Sequence, residues 1–328
     1  MWLRVAVATA VALTLQAMTR QAGGMGDGGG AGLRHYTSSD EDSARWWDFP
    51  FRDGDVVIST RSKSGTTWVQ MICLLLVLQV SELPGRLDAL SPWLDWLVQS
   101  KEEVFALLAA QGHRRVIKTH TPLDGVPLHE RATYVVVGRH PLDMAVSLYH
   151  HGENIDRARL AELTGQPQKL RRAGPPLHEW LLAFIDWDGD PRAPGNLDTL
   201  PGALLHLSDA WARSHAANVV LVHYDDLVRD LEAAMRRLSA SLSLPVDEAR
   251  WPALVRAATF EEMRAGARRY VPDSLGVLKD PTAFFRRGGS GEGREILSEG
   301  EAARYRARVA ALAPADLLAW LHRDGEQA

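Results

Sequence analysis

The chain has 328 residues, and its hydrophobic content of 46% is ample for a buried core. Its formal net charge of −4 argues against general nucleic-acid binding, because such binding requires a basic face. The single cysteine, Cys73, excludes an intrachain disulfide and fits a reducing compartment. Length alone permits either one large domain or two small ones.

Residues 1–44 are interpreted as an N-terminal extension that precedes a main domain spanning residues 45–328. Residues 5–17 are apolar but too few for a standard membrane span, and no convincing cleavage site follows them. Residues 23–32 have the composition of a flexible linker. We expect a mis-assigned start codon or a dispensable extension, and a peripheral membrane anchor is the competing interpretation.

Short β-branched runs alternate with helical patterns through the main domain. Strands are predicted at residues 56–59, 115–118, 133–137 and 218–223, and helices at 66–80, 102–111, 141–151, 178–187, 203–214, 226–242, 247–258 and 299–311. This alternation indicates a parallel sheet with helices on both faces. The predicted fold class is therefore α/β: a single domain with a central parallel sheet flanked by helices and a P-loop-like phosphate-binding loop. Ligands bind such folds outside the carboxyl ends of the strands.

The segment between the first predicted strand and the first predicted helix has the features of a phosphate-binding loop. A helix start presents unpaired backbone N–H groups and the positive end of the helix dipole, which together bind anions. Gly65 permits close approach of the backbone, and Lys63 adds a positive charge. The Walker pattern is absent, because here the lysine precedes the glycine. The loop residues that complete the predicted anion site are Ser64, Thr66 and Thr67.

This rearranged loop resembles the 5′-phosphosulfate-binding loop of the cytosolic-type sulfotransferases, which take a sulfuryl group from 3′-phosphoadenosine 5′-phosphosulfate (PAPS). Residues 116–123 form a short apolar run that delivers Lys118 and His120 to its end, and they resemble the family strand that carries the catalytic base. An imidazole with a pKa near ~6.5 can remove a hydroxyl proton near neutral pH. The resemblance implies that His120 is the general base and that Lys118 lies beside the transferring group. A structural ion pair is the alternative for Lys118.

Residues 134–147 resemble the family motif that binds the 3′-phosphate. A buried strand ends at Arg139, and Pro141 stands where a helix would begin, which is a favoured position for proline. Ser147 then falls in the second turn of that helix. By resemblance, Arg139 and Ser147 contact the 3′-phosphate, whereas His140 is assigned no role.

A second segment, residues 284–293, looks like the late family loop that closes over the same phosphate. Arg286, Arg287 and Gly288 match its basic and glycine positions. Read alone, the segment is equally typical of a flexible basic surface loop. The family usually has a tryptophan at the position of Gly293, so the order of this loop is an open question.

The resemblance also supplies a binding site for the adenine ring. Tyr224 matches a family tyrosine beside the adenine, and Thr259, Phe260 and Met263 lie in a segment that faces the loop tryptophan. The resemblance places Trp68 and Phe260 on opposite faces of the purine. Aromatic contacts of this kind contribute roughly 0.5–1.5 kcal/mol beyond area burial.

The resemblance covers residues 45–323 and is closest to bacterial members, including glycolipid sulfotransferases, through residues 91–95, 118–125 and 284–291. It implies PAPS as donor, adenosine 3′,5′-bisphosphate (PAP) as product, no metal, no nucleic-acid partner, and a cytoplasmic or membrane-associated location. The acceptor is expected to be a glycolipid or a small molecule with an apolar part. The family's dimer motif is largely absent at residues 294–303, which leaves the oligomeric state open.

Sulfuryl transfer resembles phosphoryl transfer in its in-line attack and in the charge that grows on the leaving oxygen. His120 would accept the proton of the acceptor hydroxyl, Lys63 would stabilise the leaving oxygen, and Ser64 would hold Lys63 in position. Three alternatives remain open. They are an aryl or alcohol sulfotransferase acting on small phenols or alkanols, a small-molecule P-loop kinase, and a non-catalytic nucleotide-binding protein.

We predict that a chain beginning at Met25 is soluble and active, because the motif-bearing residues begin well after the glycine-rich linker. Solubility, membrane association and transfer rate are measured beside the full-length chain. Loss of folding would show that residues 5–17 pack on the core. Loss of activity on membrane-embedded acceptors alone would support the anchor interpretation.

Overall fold

The computed structural model describes residues 32–164, 174–273 and 275–323, so the predicted apolar segment and most of the linker lie outside the described residues. Four parallel strands form the central sheet in the order β2-β1-β3-β4. The strands are β1 (Val56–Ser59), β2 (Val116–Thr119), β3 (Thr133–Gly138) and β4 (Val219–His223). The predicted α/β class and the parallel sheet are confirmed.

Helices lie between and after the strands. In chain order they are α1 (Thr66–Leu78), α2 (Leu87–Leu90), α3 (Lys101–Ala110), α4 (Pro141–Asn154), α5 (Arg157–Thr164), α6 (Leu177–Asp186), α7 (Leu200–Ala212), α8 (Tyr224–Arg229), α9 (Leu231–Ser241), α10 (Trp251–Ala257), α11 (Phe260–Ala265), α12 (Ala267–Tyr270), α13 (Glu292–Glu295), α14 (Glu299–Ala310) and α15 (Ala315–Leu321). Short 3-10 turns occur at Ser43–Trp46, Leu123–Gly125, Glu248–Arg250 and Thr282–Phe284.

Successive side chains of each strand point to opposite faces of the sheet, and both faces of this sheet are buried. Val56 and Ile58 of β1 pack into a core with α1, α9 and α10, whereas Val57 packs into a second core with α6, α7 and α15. This two-sided burial explains why the strands read as continuous apolar runs rather than as alternating patterns.

Most predicted boundaries differ from the structure by a few residues, but one predicted helix is two helices in the structure. The helix predicted over 226–242 is divided into α8 and α9 at Asp230, whose carboxylate accepts a hydrogen bond from the backbone of Ala233 and so begins a new helix. The prediction missed this internal cap. Helix α7 begins at Leu200, earlier than predicted, because the Thr199 side chain caps it.

Residues 34–44, which the sequence analysis assigned to the extension, lie against the main domain. The backbone of Asp42 donates to Asp95, Leu97 donates to Asp40, and Gly195 donates to Thr37, at 2.9, 2.8 and 3.0 Å. This segment therefore packs beside the loops at the carboxyl ends of the strands. Within the described ranges, no helix combines the length and apolar character needed to cross a bilayer.

A buried group of histidines lies at the start of α4. His140 precedes the helix, and its Nδ1 accepts a hydrogen bond of 3.2 Å from the backbone of Leu142. Its ring lies 4.7 Å from that of His322, whose Nε2 is 2.8 Å from the Tyr305 hydroxyl. Burial, followed by the nearby charges of His322 and Arg294, holds the pKa of His140 well below its usual range.

We predict that His140→Asn weakens the acid sensitivity of the fold. Below about pH 6.5 the unfolded chain binds a proton at this histidine while the folded chain does not, so stability falls with decreasing pH by up to about 1.4 kcal/mol per pH unit. Asparagine keeps the capping acceptor and removes the titration. Urea unfolding of wild type and variant is compared between about pH 7 and pH 5.

His215→Asn, at an exposed position, is the matched control for the replacement of a histidine and is measured over the same pH range. If the wild-type and His140→Asn profiles are parallel over this range, His140 does not contribute to the acid sensitivity.

Candidate active site

The loop between β1 and α1 is held in a conformation that favours glycine. Gly65 has φ of +100°, and a Cβ atom there would lie 2.8 Å from the Tyr224 ring. Helix α1 begins at Thr66, and no side chain caps its first backbone N–H groups. The Thr66 and Thr60 hydroxyls form a hydrogen bond of 2.5 Å. This geometry is suited to binding an anion at the start of α1.

His120 lies at the carboxyl end of β2, next to the end of β1 because these two strands are neighbours. Its Nδ1 forms a hydrogen bond with the Thr60 carbonyl oxygen, and its ring meets the Trp93 ring edge-on at 4.7 Å. A carbonyl can only accept, so Nδ1 carries the proton and Nε2 keeps its lone pair. Burial, with the charges of Lys118 and Arg61, holds the pKa of His120 well below 6.5. The ring is therefore a neutral base.

Two lysines near His120 rest on aromatic rings rather than on carboxylates. The Lys63 ammonium lies 3.6 Å from the centroid of the Phe284 ring, and the Lys118 ammonium lies 3.7 Å from that of Trp93. Burial, then the charges of Arg139 and Lys118, lowers the pKa of Lys63 to about 7. Burial lowers the pKa of Lys118 to about 8. Desolvated cations held only by rings are well suited to take an anionic partner.

The expected contact between Ser64 and Lys63 is absent from the described part of the chain. Ser64 is buried, but no hydrogen bond joins its hydroxyl to the Lys63 ammonium, and the Phe284 ring holds the lysine instead. The Lys63 backbone is left-handed, with φ of +63°, and its side chain reaches a residue far along the chain, so a role of Ser64 in positioning Lys63 stays a prediction.

Arg139 follows β3 and reaches back to the phosphate loop. It donates 2.7 Å to the Lys63 carbonyl and 3.3 Å to that of Gly289, and its guanidinium carbon lies 4.2 Å from the centroid of the Tyr224 ring. Its Nε is buried and has no hydrogen-bond partner within the described part of the chain. Ser147 lies in the second turn of α4, as predicted, and is partly buried. Arg139 thus joins the phosphate loop to the glycine-rich segment.

The glycine-rich segment is ordered by a carboxylate that sequence reasoning did not select. Asp143 is buried and accepts 2.8 and 2.9 Å hydrogen bonds from the backbones of Gly291 and Gly293. A Cβ atom on Gly293 would lie 2.5 Å from the Leu142 backbone, so no larger side chain fits there. A tryptophan at this position would therefore require the start of α4 to shift.

The two arginines of this segment are paired with an acid of the same segment. Both terminal nitrogens of Arg286 bond to the Glu292 carboxylate, and Arg287 lies 3.7 Å from it. The arginine side chains are 35% and 50% exposed. Gly288 has φ of +66°, and a Cβ there would lie 2.4 Å from the Phe260 ring. A phosphate bound here would have to compete with Glu292 for the arginines.

Four of the residues expected around adenine have structural contacts of their own. Trp68 meets Tyr224 edge-on at 5.6 Å and donates 2.8 Å to the Ala258 carbonyl. The Thr259 hydroxyl caps α11, and Met263 is buried in the core beneath it. These contacts do not exclude nucleotide binding, but they explain the burial of these residues without it.

Sequence reasoning missed Arg61, which is 4% exposed. It donates to the His120 carbonyl oxygen and pairs with Asp198 at 2.7 Å. His151 of α4 was also missed, although its Nδ1 is buried and no described residue forms a hydrogen bond with it. Burial, with the charges of Lys63 and Lys118, lowers its pKa to about 3. The sequence alone does not reveal such site residues, because whether a polar side chain is buried depends on distant parts of the chain.

The aromatic residues considered for the acceptor pocket divide into two groups. Trp93 contacts His120 and is stacked on Trp96, with ring centroids 5.4 Å apart and nearly parallel planes. Phe105, Trp180 and Phe184 instead pack with the core around α6. Among the described residues, no cluster of histidine, cysteine and acidic side chains has the arrangement of a metal site.

The sulfotransferase domain family model matches residues 53–312, and this chain belongs to that family. The chain is 41% identical over 305 residues to the glycolipid sulfotransferase of Mycobacterium bovis, covering 88% of this chain and 93% of the relative. The same figures hold for the glycolipid sulfotransferase of Mycobacterium tuberculosis. The predicted family and the class of enzyme, a sulfotransferase, are confirmed.

A solved structure of retinol dehydratase in complex with androsterone and the inactive cofactor PAP has the same fold. Its TM-score is 0.64 at 20% identity, and the match covers 87% of this chain and 85% of that one.

Proposed function

We propose that this protein transfers a sulfuryl group from PAPS to a hydroxyl of a partly apolar, glycolipid-type acceptor. The observation that carries the proposal is the convergence of Lys63, Lys118 and His120 at the carboxyl ends of two neighbouring strands. Relatives named glycolipid sulfotransferases, at 41% identity, support the acceptor class. A cytoplasmic location fits the cytosolic supply of PAPS.

The residues at the phosphate loop fit a nucleotide that carries both a 5′- and a 3′-phosphate. In this proposal the 5′-side is bound by Lys63, Ser64, Gly65, Thr66 and Thr67, and the 3′-phosphate by Arg139, Ser147, Arg286, Arg287 and Gly288. The buried, unpartnered Nε of Arg139 supports the second assignment, since a buried donor without an acceptor is costly. The adenine would lie by Trp68, Tyr224, Thr259, Phe260 and Met263.

The chemistry follows from the protonation states at the site. The Nε2 of His120 accepts the proton of the acceptor hydroxyl. The hydroxyl oxygen then bonds to sulfur while the bond between sulfur and the phosphate oxygen breaks. Lys63 stabilises the charge that grows on the leaving phosphate oxygen, and Lys118 lies beside the transferring group. Because the pKa of Lys63 is about 7 with no anion nearby, a bound phosphate would favour its charged form.

Arg139→Ala should weaken PAP binding about tenfold or more, because charge-assisted hydrogen bonds contribute roughly 1.5–3 kcal/mol each. Wild type should prefer PAP to ATP, which lacks the 3′-phosphate. Calorimetry measures both affinities, and the matched control is Arg131→Ala, an exposed arginine paired with Asp53. Equal affinity of wild type for ATP and PAP would contradict the assignment of these residues to the 3′-phosphate.

His120→Ala should abolish transfer while leaving PAP affinity close to that of wild type, because the histidine acts on the acceptor hydroxyl. Loss of a general base typically costs about 10²–10⁴-fold in rate. His120→Asn is the matched variant, since it retains a donor for the Thr60 carbonyl but has no basic nitrogen. Near wild-type turnover in either variant rejects His120 as the base.

We predict that a trehalose-type glycolipid is a better acceptor than a simple phenol, and both better than a sulfated polysaccharide. The aromatic pair Trp93 and Trp96 beside His120 supplies apolar contact area, whereas a polyanion requires a basic groove. Transfer rates are compared side by side at equal PAPS concentration. Fastest transfer to the polysaccharide contradicts the prediction, and fastest transfer to the phenol favours the aryl-type alternative.

A further inference from the structure

The N-terminal segment 34–49 brings two acidic residues to the acceptor side of the site. Glu41 forms a backbone bridge with Trp96, and Asp40 accepts the backbone hydrogen bond of Leu97. Trp96 is stacked on Trp93, which contacts His120. Glu41 is thus tied by the backbone to the same aromatic loop that contacts the proposed base.

The Glu41 carboxyl group has no hydrogen bond or ion pair with any described residue, although its residue is partly buried. Burial, opposed by the charge of Arg61 and assisted by that of Asp40, holds its pKa well above the usual range. Glu41 is also the strongest charge that acts to raise the pKa of Lys118. The Glu41 carboxyl oxygens are not among the buried unpartnered atoms of the described residues, so they are accessible, and a ligand that donates a hydrogen bond can reach them.

A second polar atom beside Lys118 also lacks a partner. The Nε1 of Trp93 is buried and has no hydrogen-bond partner among the described residues, while the Lys118 ammonium lies over the Trp93 ring. The Trp93 N–H can only donate, whereas the Glu41 carboxyl can accept. The two groups are therefore complementary in hydrogen bonding, and both belong to side chains that interact with Lys118.

A hydroxyl-bearing ligand is the chemistry that satisfies both groups, because a hydroxyl donates and accepts. An ammonium cannot accept from Trp93, and Arg61 and Lys118 oppose its charge. A carboxylate cannot donate to Glu41, and Asp40 and Asp198 lie in the same electrostatic cluster. A molecule with several neighbouring hydroxyls, such as a sugar ring, can bond to both the Glu41 carboxyl and the Trp93 N–H.

We propose that Glu41, with Trp93 Nε1, binds the sugar head of the acceptor and so selects a glycosylated lipid over an alcohol with the same tail. The inference rests on the proposed function and names the residue that determines acceptor specificity. Glu41 contacts the acceptor and takes no part in nucleotide binding or proton transfer.

The test compares octyl glucoside with octanol, which share a tail and differ by the sugar. Glu41→Met removes the hydrogen-bonding group at similar length, Glu41→Gln restores a donor and an acceptor, and Glu102→Met on the exposed face of α3 is the matched control. Tryptophan fluorescence measures the binding of each probe in the presence of PAP, and transfer rates from PAPS are measured in parallel.

Glu41→Met should weaken octyl glucoside binding and lower its kcat/KM by about tenfold, the effect expected for one lost hydrogen bond. Octanol binding and the KM for PAPS should change by less than about twofold. Glu41→Gln should recover most of the loss, and Glu102→Met should behave as wild type.

Equal effects of Glu41→Met on both probes, or wild-type binding of the glucoside no tighter than that of octanol, overturns the inference while leaving sulfuryl transfer intact. A wild type that binds PAP but transfers to neither probe nor to the wider acceptor panel overturns the proposed function itself. Tight binding of octylamine that is lost in Glu41→Met would instead assign Glu41 to a cationic acceptor and overturn the sugar assignment.

Discussion

The hydrogen bond between His120 Nδ1 and the Thr60 carbonyl is the contact on which the site depends. It joins the residue after β1 to the residue after β2, and it determines which imidazole nitrogen is free. Arg61 secures the same junction from the other side, since it donates to the His120 carbonyl and is itself held by Asp198. The proposed base and the phosphate loop therefore share one rigid support.

The cations of the site show how burial sets their chemical character. Lys63 and Lys118 lie over aromatic rings, and burial lowers their pKa values to about 7 and about 8, with the charges of Arg139 and Lys118 adding to the lowering at Lys63. Arg286, by contrast, is paired with Glu292 at a more exposed position. The two buried lysines are suited to take an anion, whereas Arg286 must leave Glu292 before it can bind a phosphate.

The fold and the conformation of the loop between β1 and α1 were predictable, because the relevant signals are local. The β1 strand, the glycine at position 65 and the start of α1 are consecutive in sequence, and their geometry follows from backbone preferences. The contact of Asp143 with the glycine-rich segment was not predictable, since it joins residues far apart in the chain. The same holds for the pairing of Arg61 with Asp198.

Helix α1 is buried along Thr66–Leu76, between the sheet and the surrounding helices. The phosphate loop thus leads into a helix that is buried along most of its length, whereas Glu41, Trp93 and Trp96 are only partly buried. These three side chains lie outside the hydrophobic core clusters of the described residues, so a change at them leaves the packing of α1 in place. Under the proposed role of Glu41, acceptor specificity can therefore change by substitution at these positions while the phosphate loop and His120 keep their support.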